Sequence, residues 1–108
     1  MKNARSKIQL KSYSDHGQTH AHDHHQLVLP LVGNLSLSVN SRAGEVAEGR
    51  AAIIAAGQDH DFEARDDNRF VVADVPDGLA PMLDRLPCFV QLDAGLEHYV
   101  QFLHAQLQ

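Results

Sequence analysis

Up to about residue 75 the sequence breaks into short apolar-alternating segments separated by turn residues, and no stretch of helical period lies among them. In residues 7–13, Ile8, Leu10 and Ser12 alternate with polar neighbours. Leu35, Leu37 and Val39 alternate with Ser36 and Ser38, the pattern of a strand with one face buried and one wet. Further strand-like segments fall at 44–48, 51–55, 60–65 and 69–75, with turn residues at Asn40-Ser41, Gly49, Gly57-Gln58-Asp59 and Asp66-Asp67-Asn68. Gly33-Asn34, two residues between two apolar runs, predicts a hairpin. Short strands at this spacing predict an all-β barrel or sandwich of about eight strands.

The run Leu27-Val28-Leu29-Pro30-Leu31-Val32 is apolar throughout, which suits a strand covered on both faces. Pro30 weakens it, having no N–H to give a neighbouring strand. Leu27, Leu29 and Leu31 share one face and Val28, Pro30 and Val32 the other, so whichever set misses the interior needs other cover. The pattern changes at Pro76, and Pro76, Pro81 and Pro87 punctuate an irregular or briefly helical stretch. Asp93 then reads as an N-cap to an amphipathic helix of about four turns, with Leu96, Tyr99, Val100, Leu103 and Leu107 on one side. That stripe serves either to pack on the chain's own barrel or to form a dimer contact. The 108 residues make one domain, 1–108, with the barrel at about 7–75 and a linker and C-terminal helix at about 76–108.

Composition limits what such a domain does. The formal charge is −5 with histidines neutral. Beyond Lys2, Arg5, Lys7 and Lys11 the basic residues are scattered singly, so no phosphate-gripping patch and no sequence-specific DNA binding by this chain alone are expected. No apolar run approaches the roughly 20 residues of a membrane span, and residues 1–11 lack the apolar core of a signal peptide. The expectation is a cytoplasmic protein with no membrane partner. Cys88 is the only cysteine, which excludes an internal disulfide and suits a small buried hydrophobe. No catalytic triad, phosphate-cradling glycine loop or pair of catalytic carboxylates is apparent, and Asp66-Asp67 suits a solvated turn.

The unusual feature is histidine. The sequence holds eight, and His16, His20, His22, His24 and His25 fall within ten residues. His20, His22 and Gln26 share one parity, so on a strand they project from one face. His60 opens a later strand with Phe62 and Ala64 on its face. An H-x-H strand and a second strand carrying one histidine can converge inside a barrel, and imidazole is a good ligand for Zn, Fe, Ni and Cu. His24 and His25 are expected at the solvated rim, with His24 sharing the parity of a further ligand. Simple exposure is expected for His16, His98 and His104.

His20-x-His22-x3-Gln26-x6-Gly33 resembles the first motif of the cupin superfamily, and Gly49-x5-Ala55-x-Gly57-x2-His60 resembles the second. Gln26 stands where that pattern has Glu, Ala55 where it has Pro, and Ala64 where it has Asn; the glycine that opens the first motif is missing. A narrower resemblance spans most of the chain. His25-Gln26-Leu27-Val28-Leu29-Pro30-Leu31 with Gly33, Ala51-Ala52-Ile53-Ile54 with Gly57 and His60, Asn68-Arg69-Phe70-Val71-Val72-Ala73-Asp74, and Phe89-Val90-Gln91-Leu92-Asp93 running into a helix are similar to the N-terminal sensor domain of AraC-type transcription regulators. In those a helix-turn-helix domain follows, and nothing in this chain resembles it.

The resemblance implies a double-stranded β-helix, or jelly-roll barrel, closed by a C-terminal helix. It implies a small-molecule effector, a homodimer through Leu96, Tyr99, Val100, Leu103 and Leu107, and a pocket to which Leu37, Phe62 and Phe70 contribute if they are not simply core. One divalent transition metal (Zn, Ni, Cu or Fe) on His20, His22, Gln26 and His60 is the expected cofactor. A neutral Gln26 lowers the charge set against a dication, and acid weakens binding below roughly pH 6.5, where free imidazole takes up a proton. The alternatives are a metal-free pocket for an organic effector, and a stand-alone metal-dependent cupin enzyme of dioxygenase or isomerase type.

Overall fold

A computed structural model describes residues 7–13, 22–64, 66–76 and 87–107, and for Tyr99, Val100 and Leu103 the backbone only. It contains eight strands and one helix: β1 (Lys7–Lys11), β2 (His24–Val32), β3 (Leu35–Val39), β4 (Arg42–Val46), β5 (Arg50–Ile54), β6 (His60–Glu63), β7 (Arg69–Pro76), β8 (Phe89–Gln91) and α1 (Ala94–Leu107). Two antiparallel sheets face each other, one in the order β1-β7-β2-β5-β8 and the other β4-β3-β6. The eight strands are the all-β arrangement that the strand spacing predicts, and their two facing sheets with a C-terminal helix are the double-stranded β-helix barrel that the resemblance implies.

The inner faces fill the barrel. Val28, Leu35, Leu37, Val39, Val46, Ala52, Ile54, Ala64, Phe70 and Val72 form one buried cluster. Side chains of the size of Val, Leu or Phe, fully buried, contribute roughly 1.5–3 kcal/mol each. On β3 the alternation is as the sequence predicts: Leu35, Leu37 and Val39 point inward, Ser36 is exposed and Ser38 half-buried. The larger sheet is covered on its other face too. Ala51, Val71 and Leu92 form a second cluster with Leu10, Leu29 and Leu31 packed on it. The two-sided apolar run of β2 is thereby used on both faces. Pro30 is buried and paired with Phe70 just before a register shift at Pro30/Val32. The ladder from β2 to β5 ends at Val28, so Pro30 falls where that side of the strand has no partner to satisfy.

Gly33-Asn34 is not a hairpin turn. β2 pairs with β5 and β7, and β3 with β4 and β6, so these residues carry the chain from one sheet to the other. The two-residue signal is local. What overrides it is the covering of β2 on both faces, which commits it to the larger sheet, against the one wet face of β3. Gly33 has φ +77°, and a Cβ there would collide with the Asp67 carbonyl oxygen. The tight hairpin lies instead at Asn40-Ser41, with φ of 47° and 69° and Val39 opposite Arg42. Two successive left-handed residues make a type I′ turn. It starts the return strand at Arg42, two residues before the segment expected at 44–48.

The expected irregular stretch after Pro76 lies largely outside the described residues, but its end forms a strand. β8 pairs with β5, Val90 standing opposite Ala51. Phe89 lays its ring on Gly44 of the opposite sheet and closes that end of the barrel. Asp93 caps α1 as expected, its Oδ1 accepting the Leu96 N–H at 2.8 Å. The helix packs back against β1, β2 and β7. Leu96 and Leu107 of the expected dimer stripe are exposed, as is Phe102; the side chains of Tyr99, Val100 and Leu103 lie outside the described residues.

Candidate ligand site in the barrel mouth

Three backbone devices set up one end of the barrel. The Ala56-Gly57 turn, with Gly57 at φ +85°, donates the Gly57 N–H to the carbonyl of His22 at 2.8 Å. This ties the entry of β2 to the loop that delivers His60. The same loop is pinned to the β3–β4 hairpin, Asn40 and Asp59 exchanging hydrogen bonds of 2.9 and 3.1 Å. Across the mouth, Asn68 holds Tyr13. Its Oδ1 accepts the Tyr13 N–H at 2.7 Å, and its Nδ2 donates to the Tyr13 carbonyl at 2.9 Å.

The result is a cavity of about 210 Å³. Its polar wall is His22, His24, His60, Gln26, Gln9, Lys11, Tyr13 and Asp74, and Leu37, Phe62 and Ile54 are among its apolar residues. Of the residues singled out in the sequence, Gln26, Leu37, Phe62, His22 and His60 line this one cavity. Phe70 does not line the cavity. It is wholly buried behind Tyr13, ring centroids 5.6 Å apart, as a core residue. His20 and His16 lie outside the described residues.

The imidazoles divide by role. His60 is 5 % exposed, and its Nδ1 faces the Gln58 carbonyl at 3.4 Å. A proton held there leaves Nε2 in the unprotonated form that binds metals. The His22 and His60 rings lie 5.1 Å apart at 49°. An imidazole bound at about 2.1 Å has its ring centre roughly 3.2 Å from the ion, so two such ligands about 100° apart have centroids about 5 Å apart. His22 and His60 fit that spacing. His24 does not join them: its ring is stacked on His22 at 4.9 Å and 19°, and near-parallel rings cannot aim their in-plane lone pairs at one point. His24 instead turns Nε2 toward Asp74 Oδ1 at 3.6 Å.

His25 corrects the expectation of a solvated rim. It is completely buried on the other face of β2, and its Nδ1 accepts the Ala56 N–H at 3.0 Å. That acceptor role requires the tautomer protonated on Nε2, and makes His25 a brace for the Ala56-Gly57 turn rather than a ligand.

Sequence reasoning missed Asp74 and Tyr13. Asp74 sits directly opposite Gln26 in the β2–β7 register, its Oδ1 accepting the Gln26 Nε2–H at 3.1 Å. Tyr13 stands edge-on to Phe62, with Lys11 5.1 Å above its ring. Burial, and then the charge of Asp74, push its phenol up to about 12. Only the alternation around Asp74 in β7 could have signalled its inward face, since strand pairing is invisible in one sequence.

As a metal centre the donor chemistry fits but the set is open. Among the described residues no group of three or more His, Cys, Asp or Glu side chains is placed so that it could hold a metal ion. His22 and His60 supply two donors, and the expected third, His20, is not described.

Comparison with known proteins agrees on the fold. No protein-family model matches the chain, and no curated protein matches it significantly. Among solved structures, a conserved Streptococcus pyogenes protein of unknown function matches at 19% identity and TM-score 0.62, over 70% of this chain and 68% of its own. A cupin-2 domain protein from Shewanella frigidimarina matches at 14% and 0.61, over 69% and 74% of the two chains. A cupin superfamily protein from Desulfitobacterium hafniense matches at 18% and 0.60, over 71% and 72%. Oxalate decarboxylase from Bacillus subtilis, a protein with Mn(II) centres, matches over 91% of this chain and 28% of its own, at 16% and a TM-score of 0.51 to 0.54. Among the described residues no helix is long and apolar enough to cross a membrane. The architecture and these likenesses together give the chain the cupin fold.

Proposed function

We propose that this chain is a ligand-binding module, the sensing part of an AraC-type transcription regulator. In this reading its barrel mouth takes a small-molecule effector with one divalent transition metal ion. His20, His22 and His60, with Gln26, would hold the ion, which would supply a Lewis-acidic anchor for an oxygen or nitrogen of the effector. The observation that carries the reading is the His22–His60 pair, one imidazole from the segment entering β2 and one from the start of β6, at ligand spacing in a small polar cavity. Neutral imidazoles favour Zn, Ni, Cu or Fe over Mg or Ca. A cavity of about 210 Å³ suits a small effector rather than a drug-sized one. The sensing role draws on the regulator-like sequence phrases and on α1, whose exposed Leu96, Phe102 and Leu107 offer an apolar surface through which a bound state could reach a second chain.

The test is the metal content of protein made without a histidine tag, set beside a His22→Ala, His60→Ala variant. One ion per chain in the first and none in the second is expected. Equal metal in both would place any ion on the histidine tract and leave the barrel as an organic-ligand pocket.

A further inference from the structure

Strand β1 inverts the pattern of β3, whose apolar residues point inward and whose serines do not. On β1 the apolar Leu10 faces outward and packs on the cluster that covers the far side of the larger sheet. Gln9, Lys11 and Tyr13, spaced two apart and so on one face, line the cavity. β1 is an end strand of its sheet and pairs with β7. A polar face turned into a barrel whose core is Val, Leu, Ile and Phe adds little to packing, and polar groups so placed fix the orientation of a ligand.

The hydrogen-bonding capacity left unspent on this wall defines what it can receive. Asp74 already accepts the Gln26 Nε2–H at 3.1 Å and faces His24 Nε2 at 3.6 Å. Among the described residues, by contrast, the Tyr13 phenol and the Gln9 amide have no hydrogen-bond partner and the Lys11 ammonium makes no ion pair. Lys11 holds its Nζ 5.1 Å above the Tyr13 ring instead. Burial keeps the phenol a donor, pushing its pKa up to about 12, so the proton stays on at neutral pH. Lys11 and Asp74 stand apart. In the β1–β7 register Lys11 faces Phe70 and Asp74 faces Lys7, four residues along, which separates the two positions by roughly 13 Å of strand. The Lys11–Tyr13 wall therefore presents donors and one positive charge, and its complement offers oxygen lone pairs and a negative charge.

Resting on the reading of the barrel mouth as an effector pocket, we propose that the effector is a small carboxylate, received by the Lys11 ammonium and the Tyr13 phenol with the Gln9 amide beside them. A carboxylate has two oxygens and accepts from both donors at once, and its bond to an ammonium is of the stronger, charge-assisted kind. The cavity of about 210 Å³, with Leu37, Ile54 and Phe62 on its apolar side, leaves room for a short or single-ring body. Gln9, Lys11 and Tyr13 precede both histidine motifs in the chain, so this wall selects the effector by charge independently of any ion at His22 and His60.

The test measures the heat of binding to the tag-free chain for two matched sets of probes: propionate, propionamide and propylamine, and benzoate, benzamide and benzylamine. Far-UV circular dichroism and melting establish the fold of each variant. In at least one set the carboxylate should bind about tenfold or more tighter than its amide and its amine. Lys11→Met keeps an apolar stem over the Tyr13 ring and removes the charge; it should weaken carboxylate binding about tenfold, while Lys11→Arg keeps most of it. An amide or amine that binds as tightly as its carboxylate in both sets would overturn the assignment and leave the pocket standing. So would carboxylate binding in a folded Lys11→Met protein within about twofold of wild type. Binding of none of the six probes would overturn the pocket reading itself, and the assignment with it.

Discussion

Single residues decide how the mouth is shaped, and the two that matter most beside the imidazoles are Tyr13 and Asn68. Asn68 spends its amide on the backbone of Tyr13 and on the Asp66 carbonyl, so a residue that reads as part of a polar turn is in fact the clamp of a cavity wall. Tyr13 carries a testable consequence. Its phenol is pushed up to about 12 in the folded chain, chiefly by burial, against about 10 when unfolded. The folded state therefore holds that proton more tightly. The corresponding stability is complete below about pH 10 and is lost as pH rises toward about 12. Denaturant midpoints of wild type and Tyr13→Phe, compared from pH 9 to 11.5, should show the wild type falling relative to the variant as pH rises. Parallel curves would mean that Tyr13 is solvated.

At the level of elements, the sequence was most legible where one strand's own pattern decides its environment. The alternation of Leu35, Leu37 and Val39, the continuous run of β2 and the Asp93 cap each describe a local balance of burial and hydrogen bonding, and each appears in the structure. What was not legible depends on a second strand. Gly33-Asn34 looks like a hairpin until the partners of β2 and β3 are known. His25 looks like a rim residue until the Ala56-Gly57 turn is placed against it. Asp74 and Gln26 meet only through register. Phe89 and Gly44 are a further example, 45 residues apart and in contact across the two sheets. Gly44→Ala drives a methyl into the Phe89 ring, and overpacking of this kind costs about 1–3 kcal/mol. Thermal melting should show Gly44→Ala destabilised and Gly44→Ala, Phe89→Leu partly restored. A Gly44→Ala protein as stable as wild type would show that β8 does not close the barrel there.

For the whole molecule, the helix both covers the larger sheet and leaves apolar side chains in water. Leu96 is 49% exposed and Phe102 56% exposed. Ile8 and Val32 on the barrel are exposed as well. A homodimer through α1 is the expected outcome. Leu96→Glu separates assembly from folding, because an acid in the first turn suits the helix dipole while placing charge on the apolar surface. Light scattering at tens of micromolar should give a dimer for wild type and a monomer for a folded Leu96→Glu. A monomeric wild type would confine α1 to packing on its own barrel.

We propose that imidazoles from the entry to β2 and the start of β6 hold one ion in the mouth of the barrel. Long-range proton–nitrogen spectra of the histidine rings, recorded while Zn(II) is added to tag-free protein, report each imidazole separately. The His22 and His60 nitrogens, with those of His20, should move together and stop moving at one equivalent, while His25, engaged with the Ala56 N–H, stays unchanged. Shifts that leave His22 and His60 in place, spread over the other histidines and continue past one equivalent would contradict the claim.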